Sequence, residues 1–376
     1  MKQDRWRKRL GEGLLSASVV FCAGVALSTT RPVDWLAALT YTSGFLVHPV
    51  ASYQQLTALS QSVPTAAEPD AQPQPSPEPE PQPVQGQAVE TPAPTETPVP
   101  DSQTETIPEG AGQILEIQYP SPTGERYITH GAGTIKNNTS LSAQQVKESA
   151  EAGLPFMVEV DSDQPQVLIM HTHTTETFEL ERKSWYDPSF NARSTDQSRN
   201  MAAVGQAMAD ALNQAGIHTL HDTTLHDHPS YNGSYERSHE TVRKYLEQYP
   251  SIKIVIDVHR DAIEPQSGQR VSAIAEVEGR TAAQIMLICG ADKGGNLPNF
   301  EKNLGFAAAW QDAMESRYPG LTRPVLLDYR YYNQDLTTGS LLIEVGSHGN
   351  TLEQAVYSGQ LAGQALAELL RQQAGA

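Results

Sequence analysis

Three apolar runs in this sequence, each typical of a buried strand, end in histidine or glutamate. The runs are residues 166–170, 252–258 and 341–345, and the polar side chains at or near their ends are His171, His173, Glu176, His259 and Glu344. Reactive groups of α/β folds lie at the carboxyl ends of strands, so we expect these side chains to meet at one edge of a sheet. Imidazole and carboxylate are the usual ligands of catalytic zinc, and a further carboxylate can act as general base. The constellation therefore predicts a zinc hydrolase.

Alternating strands and helices are expected to position these residues. The apolar runs at 166–170, 252–258, 284–289 and 341–345 are short and unbroken, as expected for strands covered on both faces. Helices are predicted near 143–152, from about 198 to 215, and from Thr351 onward. The pattern predicts an α/β domain over residues 111–376, with a mixed, mostly parallel sheet and helices on both faces.

The first thirty residues have the composition of a membrane-targeting segment. A basic tail over residues 1–12 precedes the uncharged residues 13–30, which are near the lower length limit for a helix that crosses a bilayer. The positive flank is expected to stay in the cytoplasm and to place the rest of the chain outside. We therefore expect a single-pass membrane anchor with an extracytoplasmic domain, and a cleaved signal peptide is the alternative.

A membrane-proximal segment, residues 31–61, is followed by a Pro-, Glu- and Gln-rich linker, residues 62–110. Residues 62–108 contain half of the 26 prolines of the chain and no lysine or arginine. Such a segment cannot bury enough apolar surface to fold, so we expect a disordered linker. The net charge of -18 argues against nucleic acid as a partner, because phosphate binding needs clustered lysine and arginine.

Five blocks of the sequence carry a resemblance to one family. In chain order they are HTHTTETF, RNMAAVGQAMADAL, IVIDVHRDAI, MLICGADKGGNLPNFEKNL and SLLIEVGSHGNTLEQA. Together they resemble the stage II sporulation protein P family of endospore-forming bacteria, which is related to zinc-dependent N-acetylmuramoyl-L-alanine amidases. The resemblance implies an amidase-like fold and a hydrolase of peptidoglycan that cleaves the amide between muramic acid and the stem peptide, with endopeptidase activity also associated. It further implies stage II sporulation proteins D and M as partners at the sporulation septum during engulfment.

The resemblance assigns roles to two of the histidines and to one glutamate. His259 matches the downstream zinc histidine of the family, and Glu344 matches the glutamate that acts as general base on the attacking water. Either His171 or His173 supplies the other nitrogen ligand, since alternate residues of a strand share a face. We favour His171, the first residue beyond the apolar run, and keep His173 as the alternative.

The carboxylate ligand and the substrate contacts are also read from the resemblance. Glu176 belongs to the family's own first block, whereas Asp196 with Asn200 reproduces the spacing in related amidases. We favour Glu176 as the zinc ligand, with Asp196 as the alternative. Arg260 and Asn303 are candidate substrate contacts.

Two other interpretations compete with these predictions. A group of four histidines, His218, His221, His226 and His228, could suggest a second metal site, but we expect a solvated loop because Asp and Thr are interspersed with them. The alternative function is a non-catalytic protein of the same fold that binds or organises the cell wall. The presence of every candidate ligand and of Glu344 argues for the enzyme.

Overall fold

The computed structural model describes residues 106–375, which contain twelve strands and five helices. The strands are β1 (Gly112–Ile117), β2 (Tyr127–His130), β3 (Gly133–Asn137), β4 (Val167–Met170), β5 (Trp185–Tyr186), β6 (Thr219–His221), β7 (Ile254–Asp261), β8 (Gln269–Val277), β9 (Arg280–Ala283), β10 (Ile285–Gly290), β11 (Val325–Asp328) and β12 (Gly339–Ser347). The helices are α1 (Ala143–Glu151), α2 (Met201–Gln214), α3 (Ser234–Gln248), α4 (Phe300–Arg317) and α5 (Leu352–Ala374).

Eight of these strands form one mixed sheet in the order β2-β3-β11-β10-β12-β7-β4-β6. The pairs β2–β3 and β10–β12 are antiparallel, and all other neighbours in this sheet are parallel. The prediction of a mixed, mostly parallel α/β sheet is confirmed. The three strands that end in the candidate site residues, β4, β7 and β12, are consecutive neighbours in it.

Helices cover both faces of the large sheet, as predicted, but unequally. Val167 and Ile169 of β4 pack into a core that includes apolar residues of α1, α2, α4 and α5. Leu168 and Met170, which point the other way, pack against Val242 of α3. Because alternate residues of a strand face opposite sides, this division places four helices on one face and α3 on the other. Both faces of β4 are therefore buried, which explains its unbroken apolar run.

The two long helices α2 and α5 are capped at their N-termini and lie close together. The Asn200 side chain accepts a hydrogen bond from the Ala202 backbone at the start of α2, and α5 begins with a capping box at Thr351. Gly363 of α5 faces the Met208 carbonyl so closely that a Cβ there would lie 2.7 Å from the oxygen. Glycine at this position therefore allows the two backbones to approach.

A second sheet, in the order β5-β1-β8-β9, was not predicted from the sequence. β1 is parallel to β8, and β3 is parallel to β11 of the large sheet, so the residues before β4 are built into both sheets. The predicted cytoplasmic tail, anchor, membrane-proximal segment and most of the linker lie outside the described residues. Within residues 106–375, no helix is both long and apolar enough to cross a membrane.

Candidate active site

The carboxyl ends of β4, β7 and β12 lie side by side at one edge of the large sheet. In register, Glu344 of β12 pairs with His259 of β7, and Met170 of β4 pairs with Asp257. The neighbouring residues Val258 and Ile343 point into the core on the face of four helices. Since side chains alternate along a strand, His259 and Glu344 point to the other face, toward α3.

Two residues from the loop after β4 complete a cluster on this face. The rings of His173 and His259 are 5.1 Å apart, edge to face. Glu176 Oε2 lies 3.8 Å from His259 Nδ1. His173, Glu176 and His259 are all buried. The fold thus brings together two imidazoles and one carboxylate from two separate parts of the sequence.

His171, the favoured nitrogen ligand in the sequence-based interpretation, is directed away from this cluster. Its Nδ1 lies 2.8 Å from the Val258 carbonyl, to which it donates, and its Nε2 lies 2.9 Å from His221 Nε2. A Cβ on Gly205 of α2 would be 2.6 Å from the His171 ring, so this ring fills the space between the sheet and α2. Val167, Ile169 and His171 continue one strand face, whereas the chain turns before His173. The placement therefore favours the alternative, His173, and not His171.

Glu176 is placed at the cluster, and the competing carboxylate is not. Burial opposes ionisation of Glu176, but the Arg260 charge and the adjacent imidazoles outweigh it and hold the pKa of this carboxyl below its usual range. Asp196 is exposed, and its Oδ1 accepts hydrogen bonds from the backbone and hydroxyl of Ser198. Hence the geometry brings Glu176, rather than Asp196, to His259.

Asp257 orients His259 and was not singled out from the sequence. Its Oδ1 lies 2.8 Å from His259 Nε2 and accepts a hydrogen bond from the Thr172 backbone. This contact leaves His259 Nδ1 directed toward Glu176. A carboxylate that holds the far nitrogen of an imidazole is typical of metal-binding histidines. The signal was present in the sequence, because Asp257 and His259 are two residues apart on one strand and share a face.

Three carboxyl groups act on His259. Burial would lower the pKa of His259, but the carboxylates of Asp257, Glu176 and Glu344 raise it to about 9. By contrast, burial lowers the pKa of His173 to about 4, despite the opposing charge of Glu176. The carboxylates therefore favour a positive charge at this point of the cluster, and a bound cation would also supply one.

Glu344 is a buried carboxyl with an unused oxygen. Its Oε2 has no hydrogen-bond partner among the described residues. Burial raises the pKa of Glu344 to about 8, and the negative charges of Asp261 and Glu176 add to this effect against His259 and Arg323. A carboxyl with a strongly raised pKa beside a cluster of titratable groups is typical of an acid–base residue.

The two candidate substrate contacts have structural positions. Arg260 is buried and donates to the backbone carbonyls of Thr177, Ala192 and Asp261. Asn303 is completely buried in α4, where its side chain bonds to the backbone at Gln334 and Ser340. Because both side chains bind the protein's own backbone, Arg260 holds the loop after β4 and Asn303 holds the loop before β12. Their role as substrate contacts stays a prediction.

Aromatic residues from α3 and the loop before it form one wall of the site. The Tyr231 ring is stacked on His173 with ring centres 4.5 Å apart, and Tyr235 lies edge-on to His173 at 5.5 Å. Tyr235 also stacks against Tyr332, at 5.5 Å. The Arg193 guanidinium covers the Tyr231 ring. Sequence reasoning missed this wall, because Tyr231 precedes α3 and its approach to His173 depends on the fold of that loop.

The expectation of a solvated histidine loop is wrong for two of its four members. His221 lies on β6, where it contacts His171. His226 is buried, with Nδ1 bound to the His171 carbonyl and Nε2 3.0 Å from the Thr241 hydroxyl. Both histidines contact His171 at the end of β4, so they stabilise the end of this strand by hydrogen bonding.

The residue types of the cluster, two histidines and one glutamate, are suitable ligands for a zinc ion. In residues 106–375, no three His, Cys, Asp or Glu side chains are arranged around a common point as metal ligands are. The cluster nevertheless supplies two imidazoles and a carboxylate, and the Asp257 carboxylate contacts the far nitrogen of His259. This is the ligand chemistry of catalytic zinc sites.

A comparison with known protein families identifies the family of the chain. The fold and the cluster define a mixed α/β protein with a His- and Glu-lined site at the carboxyl edge of its sheet. A family model described as Stage II sporulation protein P matches residues 103–369. The chain therefore belongs to the stage II sporulation protein P family.

A curated relative and several solved structures are similar to the chain. Stage II sporulation protein P of Bacillus subtilis (strain 168) is 30% identical over 218 residues, which are 55% of this chain and 51% of that protein. The chain thus spans about half the length of this relative. The CwlD amidase from Clostridioides difficile, in complex with the GerS lipoprotein, is 14% identical with a TM-score of 0.34, covering 56% of this chain and 97% of its own. An N-acetylmuramoyl-L-alanine amidase from Clostridium difficile 630 is 15% identical with a TM-score of 0.35, covering 57% and 100%.

Proposed function

We propose that this protein is a zinc-dependent peptidoglycan hydrolase of the N-acetylmuramoyl-L-alanine amidase type, acting on the septal wall during sporulation. One observation carries the proposal: His173, Glu176 and His259 are in mutual proximity beside Glu344, a buried carboxyl with an unpartnered oxygen. Membership of the stage II sporulation protein P family supports the sporulation context.

In this proposal His173, Glu176 and His259 hold the zinc ion, which polarises the scissile carbonyl and activates water when bound. Asp257 keeps the His259 ring in place through Nε2. Arg260 holds the backbone at Thr177 and Ala192 and stabilises the ionised form of Glu176. The loop that carries two of the proposed ligands is thereby tied to β7.

Glu344 is the proposed general base. It lies next to His259 on the neighbouring strand, and its Oε2 has no competing partner among the described residues. A cation beside it would favour the ionised carboxylate, which accepts a proton from the attacking water. The same carboxyl would then donate that proton to the leaving amine, so one residue would serve as base and acid.

Digestion of purified peptidoglycan by the full chain tests this function. We expect release of stem peptides with a free L-alanine amino group, loss of release with a chelator, and recovery with zinc. His259→Ala is expected to abolish both zinc binding and release, because a three-ligand site loses a donor that water cannot replace. Fragments cut within peptides would identify endopeptidase activity instead. Binding to the wall without any cleavage would favour the non-catalytic alternative.

We further propose that residues 13–30 anchor the protein in the cell membrane and that residues 62–108 act as a tether. Support comes from composition alone, since the uncharged segment follows a basic tail and the tether contains half of the chain's prolines. The catalytic part would then act outside the cytoplasm, with stage II sporulation proteins D and M as partners. Removing most of residues 62–108 is expected to impair wall removal in cells while leaving cleavage by the purified protein unchanged. Normal engulfment with the shortened chain would argue against a tether.

A further inference from the structure

Arg323 reaches the candidate active site from a part of the sequence that gave no functional signal. It precedes β11, and the adjacent Thr322 bridges to Ile285 at the start of β10. Ile285 in turn pairs with Val345, next to Glu344. Because β10 and β11 run antiparallel to β12, their starts lie at the sheet edge where β12 ends.

The guanidinium of Arg323 extends across the end of β12. Its Nη1 lies 2.9 Å from Asp261 Oδ2 at the end of β7, and β12 lies between β10 and β7 in the sheet. This ion pair therefore spans the strand that carries Glu344. Only 10% of the Arg323 side chain is exposed. The positive group is thus part of the site and not of the outer surface.

One edge of this guanidinium has no partner among the described residues. Both Nε and Nη2 are buried and donate no hydrogen bond there. Their N–H groups point in the same direction from the planar group, and this edge can bind both oxygens of a carboxylate at once. Leaving a buried charged donor unpaired costs free energy, so the arrangement favours an anion that arrives from outside the chain.

We propose that Arg323 binds the first free carboxylate of the substrate peptide, on the residue after the L-alanine of the scissile amide. This inference rests on the proposed function. The carboxyl group of the L-alanine is consumed in the next peptide bond. The second residue is a D-glutamate that continues the peptide through its γ-carboxyl, so its α-carboxylate is the nearest free one. Two extended residues span about 7 Å. The guanidinium of Arg323 already crosses the end of β12 to reach Asp261, so it lies beside the strand that carries Glu344 and within reach of a group two residues from the scissile amide.

Arg270 provides a matched control for a buried arginine. Its side chain is 11% exposed, and its Nε and Nη1 also lack hydrogen-bond partners in the described part of the chain. These two nitrogens lie on different edges of the guanidinium, so they do not form a fork for one carboxylate. The group is stacked instead on the Tyr186 ring, 3.8 Å from its centre.

The test compares two synthetic N-acetylmuramoyl dipeptides, each with L-alanine followed by D-glutamate. They differ only at the α-carboxyl group of the glutamate, which is a free carboxylate in one peptide and a primary amide in the other. With the zinc-loaded full chain, we expect kcat/KM to favour the free carboxylate by about 10- to 100-fold, the size of one charge-assisted bidentate contact. Arg323→Gln is expected to abolish this preference. Arg323→Lys, which keeps the charge without the fork, should retain a small part of it, and Arg270→Gln all of it.

Equal cleavage of the two peptides by the wild-type chain would overturn the proposal. So would a preference that survives in both Arg323 variants, because a residue that only holds Asp261 would lower both rates equally. If the wild type cleaves neither peptide, the proposed function fails, and calorimetric binding of the same pair decides the subsite. Tighter binding of the free carboxylate that is lost in Arg323→Gln but kept in Arg270→Gln would support the proposed subsite. Equal binding of the two peptides by the wild type would refute it.

Discussion

His171 and His173 are two residues apart, but they lie on opposite faces of the sheet and have different neighbouring groups. His171 lies on the α2 face of the sheet, and both of its ring nitrogens are within hydrogen-bonding distance of the protein, at Val258 and His221. His173 lies on the α3 face, beside His259 and Glu176. His171 is surrounded by groups that satisfy its hydrogen bonds. His173 lies beside ionisable groups, Glu176 and His259.

The contrast shows how one loop can supply both support and chemistry. A buried polar group with complete hydrogen bonds stabilises the fold and has little left to offer a ligand. The cluster around His173 contains several carboxyl groups and an unpartnered Glu344 oxygen, and such groups can bind a proton or a cation. The two histidines therefore differ in whether their hydrogen bonds are satisfied within the protein, and not in residue type or in position after the strand.

The largest expected difference between the two histidines is in metal binding. His173→Ala should remove stoichiometric zinc and reduce peptidoglycan cleavage to background, because one of three proposed ligands is lost. His171→Asn, which can keep the hydrogen bond to the Val258 carbonyl, should retain zinc although it is less stable. Metal content by mass spectrometry of the two purified variants measures this. The reverse pattern would return the ligand role to His171.

The next largest effect is expected at Glu344, where catalysis should separate from metal binding. Glu344→Gln keeps the size of the side chain but cannot accept the proton. We expect turnover to fall by about two to four orders of magnitude, the usual contribution of general acid–base catalysis, while zinc content and thermal unfolding stay close to those of the wild type. Loss of zinc together with activity would show that Glu344 is a ligand.

The sequence was sufficient to predict the central strands and the set of residues at their ends. Mainly apolar runs identified β4, β7, β10 and β12, since strands covered on both faces are built largely from apolar residues. Helices α2, α4 and α5 differ in how clearly their apolar residues show helical spacing. α2 and α5 carry apolar residues at helical spacing, whereas α4 buries Asn303 and Gln311 among its apolar residues and has a weaker pattern.

The choice between His171 and His173 could not be made from the sequence, because it depends on where the strand ends. Had β4 continued in extended form, both side chains would have shared a face. The chain turns after His171, so the two rings diverge to opposite sides of the sheet. Arg323 was missed for a related reason: its approach to Glu344 depends on the antiparallel direction of β10 and on long-range strand order, which leave no local pattern.

A pH-dependent loss of stability is expected from the supporting histidines. Burial lowers the pKa of His171 to about 3, with the His221 charge adding to it, and lowers that of His221 to about 4. The unfolded chain binds protons at these residues below about pH 6.5, whereas the folded chain does not until about pH 4. The stabilisation is therefore complete above pH 6.5 and is lost as the pH falls, by about 2 kcal/mol at pH 5 for one such histidine.

Urea unfolding of the wild type and of His221→Gln at pH 7, 6 and 5 measures this effect. Glutamine can still donate to His171 Nε2 but does not titrate in this range. We expect the free energy of unfolding to fall less between pH 7 and pH 5 in the variant. An identical fall in both proteins would show that His221 is not held neutral by the fold.

The smallest effect is expected at Asp196, the carboxylate that the structure leaves outside the cluster. Its side chain is exposed, and among the residues that the structure describes it accepts hydrogen bonds from Ser198 alone, just before α2. Asp196→Ala should leave zinc content and turnover unchanged, whereas Glu176→Ala, which removes the buried carboxylate beside His259, should abolish both. Metal content and cleavage rate of the two variants, prepared in parallel, provide the comparison. Loss of zinc in Asp196→Ala with retention in Glu176→Ala would mean that the loop before α2 closes over the site when metal binds, and that spacing along the sequence identified the ligand better than proximity in the fold.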